Sequence, residues 1–170
     1  MKVLRKQTNS RNCIICGMEN QFGVKAQFYV LDDDSVATLF TFNSLHQSYP
    51  ERTHGGMVSA LLDEIMGRAL WIKKPTEYAV TTTLSVTYRK PTPYDVPLKA
   101  RGYITFSSQR GYSAKGELYD LNDNLLAESS ARYLILPVDK TFSSSFNEKQ
   151  EMCYHIEDDI KEINFPKKRD

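Results

Sequence analysis

The run from Met57 to Ile72, MVSALLDEIMGRALWI, limits what this chain can fold into more than any other stretch. Val58, Leu62, Ile65, Ala69 and Ile72 recur at spacings of 4, 3, 4 and 3, the repeat of one helical face. Met57, Ala60, Leu61, Leu70 and Trp71 fall elsewhere around the same cylinder. A helix apolar on nearly all sides is a buried one, and the pattern predicts a single helix over residues 56–72, about four to five turns long. Asp63 stands in its middle, where a carboxylate is costly unless paired or hydrogen-bonded. On the helical wheel Asp63 sits among Gly56, Ser59, Ala60 and Gly67, small residues that leave room for a second helix or a ligand. One reading is a hydrogen-bonded structural carboxylate behind a tight glycine entry. The other is a reactive group facing a ligand.

His54-Gly55-Gly56 leads into that helix. Two glycines there let the backbone approach a ligand closely and leave N–H groups open at the positive end of the helix dipole. Such an entrance can polarise a carbonyl or hold a developing oxyanion.

The remaining pattern is that of strands. Residues 24–31 and 35–42 alternate and are joined by Asp32-Asp33-Asp34, which reads as a hairpin. Residues 78–89 form a long β-branched and aromatic strand. Simple alternation puts Thr81, Thr83, Ser85 and Thr87 on one face and Thr82, Leu84, Val86 and Tyr88 on the other. Residues 98–106, 111–119 and 125–136 complete an antiparallel meander, whose last turn is Asp120 to Asn124. One long helix among five or six antiparallel strands makes an α+β fold, with the sheet wrapped around the helix.

Beyond Pro137 the character changes. Residues 141–145 read as a polar linker, and Ser145-Phe146-Asn147-Glu148 has the form of a capping box. Met152, Ile156, Ile160 and Ile163 then recur at spacings of 4, 4 and 3, which predicts an extra amphipathic C-terminal helix ending before Pro166. Its acidic polar face (Glu157, Asp158, Asp159, Glu162) argues against a calmodulin-target role. The organisation expected is an N-terminal segment over 1–23, a core domain over 24–137, and a linker with helix over 138–170.

Composition narrows the function classes. A chain of 170 residues fits one domain that buries roughly 70% of its unfolded surface. With 22 basic and 21 acidic residues, net charge +1, there is no bulk electrostatic case for a nucleic-acid or membrane partner. Residues 1–12 lack the apolar centre of a signal peptide, and no apolar run is long enough to span a bilayer. Three cysteines do not suggest a disulfide scaffold, so a cytoplasmic, reduced protein is expected. Cys13-x-x-Cys16-Gly17 invites a metal or redox reading, but the further candidate ligands Cys153, His46, His54 and His155 are scattered along the chain. A turn, Asn20 to Gly23, follows where a thioredoxin-like motif would have a helix. The pair is read as a small N-terminal knuckle, with no metal assigned.

His54-Gly55-Gly56 followed nine residues after His54 by Asp63-Glu64, then by the TTTLSVTYRKP strand, resembles the hotdog-fold acyl-CoA thioesterases of the phenylacetate-pathway type. The resemblance spans roughly residues 12–137. It implies a hotdog fold, hydrolysis of a small-to-medium acyl or aryl thioester, and coenzyme A as part of the substrate with no separate cofactor. It also implies that Asp63 is the general base that activates water or the nucleophile that attacks the thioester. The Gly55 N–H would polarise the thioester carbonyl, with His54 helping to bind that region and Thr81 assisting the water. Many relatives carry an Asn six residues before the histidine, where this chain has Ser48, so a polar role there would pass to Gln47 or His46 or be absent. Gly56, Gln47, Ser48, Glu64 and Thr82 are further candidates for substrate contact, and Arg89 and Lys90 for the phosphates of coenzyme A. Glu64 is about 100° around the helix from Asp63, so the two cannot both point into one small site.

Asp63 lies eight residues after Gly55, about 12 Å along the helix axis, so one helix cannot present both to the same carbonyl. Two helices packed antiparallel can. The geometry and the resemblance both imply a homodimer with shared active sites; a homotetramer built as a dimer of dimers is the further step. Two other readings stay open: an acyl-thioester dehydratase or hydratase, with His46 to Pro50 as its loop, and a non-catalytic acyl-CoA-binding protein.

Overall fold

The computed structural model describes residues 1–137, 140, 147 and 151–168. Its strands are β1 (Val3–Lys6), β2 (Gln27–Leu31), β3 (Val36–Thr41), β4 (Gln47–Tyr49), β5 (Arg52–Thr53), β6 (Tyr78–Tyr88), β7 (Pro97–Ser107), β8 (Gly111–Asp120) and β9 (Leu125–Leu136). Seven of them form an antiparallel sheet in the order β1-β2-β3-β7-β8-β9-β6, and β4 and β5 make a small separate ribbon. The helix α1 (Gly55–Arg68) lies against this sheet. It is the expected arrangement of a curved antiparallel sheet around one helix.

Two strands are placed by tertiary contacts. β6 pairs with β9, from Tyr88 opposite Ala127 to Tyr78 opposite Leu136, and so stands at one edge of the sheet among the described residues. β1 was not anticipated: its sequence is polar and short, and it forms at the opposite edge because β2 and the C-terminal segment offer it backbone partners.

The helix is anchored where the sheet lets it come close. A Cβ at Gly102 on β7 would lie 2.6 Å from the Ile65 carbonyl oxygen, so only glycine lets the helix backbone rest there. Val58, Leu61, Leu62 and Ile65 on α1 pack with Phe28, Phe40, Leu98 and Leu118 to form the main core. The helix differs from expectation at both ends. It begins one residue earlier, capped by His54, and tightens into a 3-10 turn over Ala69–Ile72. It is also not enclosed on all sides: Ser59, Ala60, Asp63 and Gly67 are half-buried and Gly56 is exposed. The stripe of small residues is therefore the open face of α1.

Arg68, at the end of α1, fastens the N-terminal segment to the helix. Its Nε donates to Glu64 Oε1 at 2.7 Å and its Nη1 to the Thr8 carbonyl at 2.9 Å, while its guanidinium lies 4.2 Å from the Phe28 ring centroid. The knuckle at Cys13 to Gly17 is part of the core, with Ile15 and Cys16 both buried. Asn9 Nδ2 ties it to the start of the domain through the Cys16 and Ala26 carbonyls, at 2.8 and 2.9 Å.

Over the described residues 152–168 the predicted C-terminal helix does not form. From Met152 to Lys168 no residue is helical; the chain runs extended along the N-terminal segment. Tyr154 bridges Asn9 and Glu162 bridges Lys2. The spacing of Met152, Ile156, Ile160 and Ile163 misleads because it considers only local helix. Here the unpaired backbone of the N-terminal segment supplies bonds that an isolated helix could not match, such as Val3 N to Lys161 O at 2.8 Å and Ile163 N to Met1 O at 3.0 Å. Ile163 is buried with Tyr29, Leu31 and Ala37 on the outer face of the sheet, flanked by Ile160 and Phe165. The expected linker at 141–145 and the capping residues Ser145, Phe146 and Glu148 lie outside the described residues.

Candidate active site

Asp63 projects from the open face of α1, and its carboxylate is held from two strands. Thr81 Oγ1, on β6, lies 2.9 and 3.1 Å from the two carboxylate oxygens. Tyr133 Oη, on β9, donates to Asp63 Oδ1 at 2.8 Å and lies 3.0 Å from the Asp63 carbonyl oxygen. Oδ1 thus has the closer attention of two hydroxyls, and Oδ2 retains more acceptor capacity. The Tyr133 ring is stacked on Tyr112, centroids 4.6 Å apart, and Tyr112 Oη donates to the Gly67 carbonyl at 3.1 Å. Burial pushes the Tyr133 phenol well above its usual range, and the Asp63 charge pushes it further. Burial and then Asp63 raise Tyr112 in the same way. Both phenols therefore stay protonated, and Tyr133 remains a donor to the carboxylate.

A bulge in β6 makes this site. The pairing of β6 with β9 slips between Thr81 and Thr83, leaving Thr82 as the extra residue. Thr82 Oγ1 turns to the Arg132 carbonyl at 3.0 Å. Past the bulge the alternation is inverted, so Thr81 reaches Asp63 while Val86 and Tyr88, expected on the opposite face, also point at α1. The simple two-face reading of this strand is corrected on that account.

Tyr88 organises the helix entrance. Its hydroxyl donates to the Gly55 carbonyl at 2.8 Å and lies 2.7 Å from Ser59 Oγ. His54 caps the helix: its Nδ1 accepts from the Gly56 N–H at 2.9 Å, and its carbonyl takes the N–H groups of Met57 and Val58. The Gly55 N–H has no acceptor among the described residues. It opens into a cleft of about 440 Å³ lined by Arg52, Gly55, Val58, Tyr88, Arg89 and Lys90 among others. Arg89 Nε is engaged with Glu128 Oε1 at 2.9 Å and Lys90 Nζ with Asn124 Oδ1 at 3.1 Å, so both cations are held at the rim.

The other sequence candidates fall elsewhere. Gln47 and Ser48 lie exposed on β4, where Gln47 Oε1 accepts from Tyr94 Oη at 3.2 Å. His46 is buried and spent: Nδ1 accepts from the Asn43 N–H at 3.1 Å and Nε2 contacts the Phe22 carbonyl at 2.9 Å. Its carbonyl receives the His54 N–H at 2.8 Å, so it positions the helix entrance. Glu64 points away from Asp63, toward Arg68 and Cys13. There the hydrogen bond from Cys13 lowers the Cys16 thiol to about 7 against the opposing effect of burial. The same bond, with burial, pushes Cys13 up.

Tyr88, Tyr112, Tyr133, Ser59 and Arg52 were not anticipated. Simple alternation misplaces Tyr88 because the bulge inverts the strand before it, and Tyr133 lies 70 residues from Asp63 in sequence. Nothing local in the sequence marks either as a partner of α1.

Residues 52–127 match the family model of the thioesterase superfamily. The match covers under half of the chain, and the fold is the hotdog fold of the solved structures it resembles. A thioesterase superfamily protein of known crystal structure is 27% identical, with a TM-score of 0.67 over 72% of this chain and 63% of that one. The chain thus spans less than two thirds of that relative's length. A phenylacetic acid degradation-related protein from Ralstonia eutropha is 17% identical, with a TM-score of 0.59, covering 65% of this chain and 85% of that one. A Bacillus halodurans protein solved with CoA is 20% identical, with a TM-score of 0.61, covering 71% of this chain and 82% of that one. A comparison with curated proteins finds no match. The matched stretch holds α1, Asp63, Thr81 and Tyr88, but Tyr133 and the Cys13 knuckle lie outside it. No helix among the described residues is long and apolar enough to cross a membrane.

Proposed function

We propose that this protein is an acyl-CoA thioesterase that hydrolyses a small-to-medium acyl or aryl thioester. The observation that carries the reading is the Asp63 carboxylate, held by Thr81 and Tyr133 on the open face of the central helix. In this reading Asp63 takes a proton from water as the water oxygen attacks the thioester carbonyl. The alternative first step is attack by the carboxylate itself, giving an anhydride that water then opens. In either case the carbon–sulfur bond breaks, the proton passes to the departing thiolate, and the products are a carboxylic acid and the free thiol of coenzyme A.

The carbonyl oxygen would be held by a Gly55 N–H at the positive end of a helix dipole. Since Gly55 and Asp63 are about 12 Å apart on one helix, the Gly55 in question belongs to a second copy of the chain. Two features support a homodimer. β6 is an edge strand of 11 residues among the described residues, and Val80, Leu84 and Tyr88 on it are exposed. The small-residue face of α1 is open on the same side. Arg52, Arg89 and Lys90 would meet the phosphates of coenzyme A at the mouth of the cleft that contains Gly55.

The test is release of free thiol from a panel of acyl- and aryl-CoA thioesters by the native chain and by Asp63→Asn. Turnover lost in a variant that keeps its oligomeric state supports the reading. Binding of acyl-CoA without turnover by either protein would turn it into a binding protein. In single-turnover hydrolysis in ¹⁸O-water, label in the Asp63 side chain would establish carboxylate attack followed by opening of the anhydride at the Asp63 carbon.

A further inference from the structure

Away from the Asp63 carboxylate, the fold assembles a second cluster that thioester hydrolysis does not use. Cys13 Sγ, Cys16 Sγ and a carboxylate oxygen of Glu64 all lie within 4.8 Å of one another. Cys13 Sγ is 3.8 Å from Glu64 Oε2. We propose that Cys13, Cys16 and Glu64 form a binding site for one thiophilic divalent cation of the zinc class, which fastens the N-terminal knuckle to α1 beside Asp63.

The donor set fits that class of ion. Two thiolates and a carboxylate are accepted by a tetrahedral zinc-type centre, whose bonds of about 2.3 Å to sulfur and 2.0 Å to oxygen set the ligand atoms about 3.5–3.8 Å apart. The three donor atoms lie within 4.8 Å of one another, and Cys13 Sγ and Glu64 Oε2 are already at that spacing, 3.8 Å apart. Cys13 and Glu64 are half-buried, so the fourth position is reachable by water. The third donor is neither a cysteine nor a histidine but a carboxylate 51 residues away, on α1.

Both sulfurs lie beside hydrogen-bond donors. The N–H groups of Ile15 and Cys16 point at Cys13 Sγ at 3.3 and 3.5 Å, and Ser10 Oγ is 3.1 Å from Cys16 Sγ. Such bonds orient a coordinating thiolate and offset its charge. Arg68 plays the corresponding part for the carboxylate, holding Oε1 at 2.7 Å and leaving Oε2 turned to Cys13. Arg68 Nη2 is buried with no hydrogen-bond partner among the described residues. With both thiols ionised, the cluster carries three negative charges against the one guanidinium. A divalent cation brings the sum to zero, which is what a site this deeply placed requires.

The inference does not depend on the thioesterase reading, and its test does not measure turnover. The reduced, metal-free full-length chain is titrated with Co²⁺. One equivalent per chain should give a thiolate-to-cobalt charge-transfer band that Zn²⁺ abolishes by displacement. Cys13→Ser and Cys16→Ser should each remove the band, whereas Cys153→Ser should keep it. Glu64→Gln should keep a thiolate band but weaken affinity roughly tenfold or more. A second measurement needs no variant: Zn²⁺ should slow alkylation of Cys13 and Cys16 in the native chain, mapped by mass spectrometry, and leave Cys153 unaffected. Absence of the band in the native chain, its persistence without Cys13 and Cys16, or alkylation indifferent to Zn²⁺ would each overturn the proposal.

Discussion

Thr81 and Asp63 meet through a defect in a strand. Thr81 Oγ1 lies 2.9 and 3.1 Å from the two carboxylate oxygens, although the residues are 18 apart and on different elements. The bulge at Thr82 lets this contact coexist with that of Tyr88 at the far end of the same strand, where the Tyr88 hydroxyl reaches Gly55. A regular strand would present one of the two residues to the helix and turn the other away. The bulge thus serves both the carboxylate and the helix entrance.

Replacing the hydroxyls that hold Asp63 is expected to lower turnover without abolishing it. A hydrogen bond to a charged group contributes about 1.5–3 kcal/mol, so Thr81→Val and Tyr133→Phe should each lower kcat roughly 10–100-fold. The double variant should fall short of the product of the two, because both donors serve Oδ1. Steady-state thiol release checks this, with near-ultraviolet circular dichroism to establish that the fold is kept.

Gly55→Ala tests the helix entrance. The added Cβ would lie 3.2 Å from the Tyr88 hydroxyl oxygen and 3.3 Å from its Cζ, so the ring must shift or the helix start must move. Either displaces the N–H assigned to the carbonyl, and kcat/KM should fall roughly tenfold or more. An unchanged kcat/KM would remove Gly55 from the proposed mechanism.

Arg68→Met should be strongly destabilising, by about 3 kcal/mol, since it leaves Glu64 facing the core edge without its buried partner. Adding Glu64→Leu should recover much of the loss. Urea unfolding of the single and double variants gives the two numbers.

Alkaline pH should weaken the fold before it silences the site. Tyr29, Tyr112 and Tyr133 are all raised above the tyrosine value of 10.0, chiefly by burial. The unfolded chain loses these protons near that value while the folded chain keeps them. Their contribution is therefore complete below about pH 10 and is lost as pH rises from there toward the folded values. Denaturant midpoints should hold from pH 8 to about pH 10 and decline above it, and absorbance at the tyrosinate band should appear with unfolding.

Much of this protein is written locally. The helix around Asp63, the glycine entry after His54 and the three-strand meander follow from period and turn chemistry, because each is decided by residues a few positions apart. The C-terminal segment marks where that reasoning fails. Its isoleucines have helical spacing, yet Ile163 is buried against a sheet whose neighbouring backbone offers Val3 and Met1 as partners.

Of the candidate site, the sequence by itself determined Asp63 and its helix, and the order in which His54, Gly55 and Gly56 lead into it. The tertiary structure decided what surrounds them. It placed the bulge at Thr82 within a run of three threonines that gives no sign of where the register slips. It brought Tyr133 to Asp63, and Cys13 and Cys16 to Glu64, across 70 and about 50 residues of chain. Local pattern reports which face of an element is apolar. Which polar groups meet on the other side depends on strand order and register, and those are fixed only when the whole sheet closes around the helix.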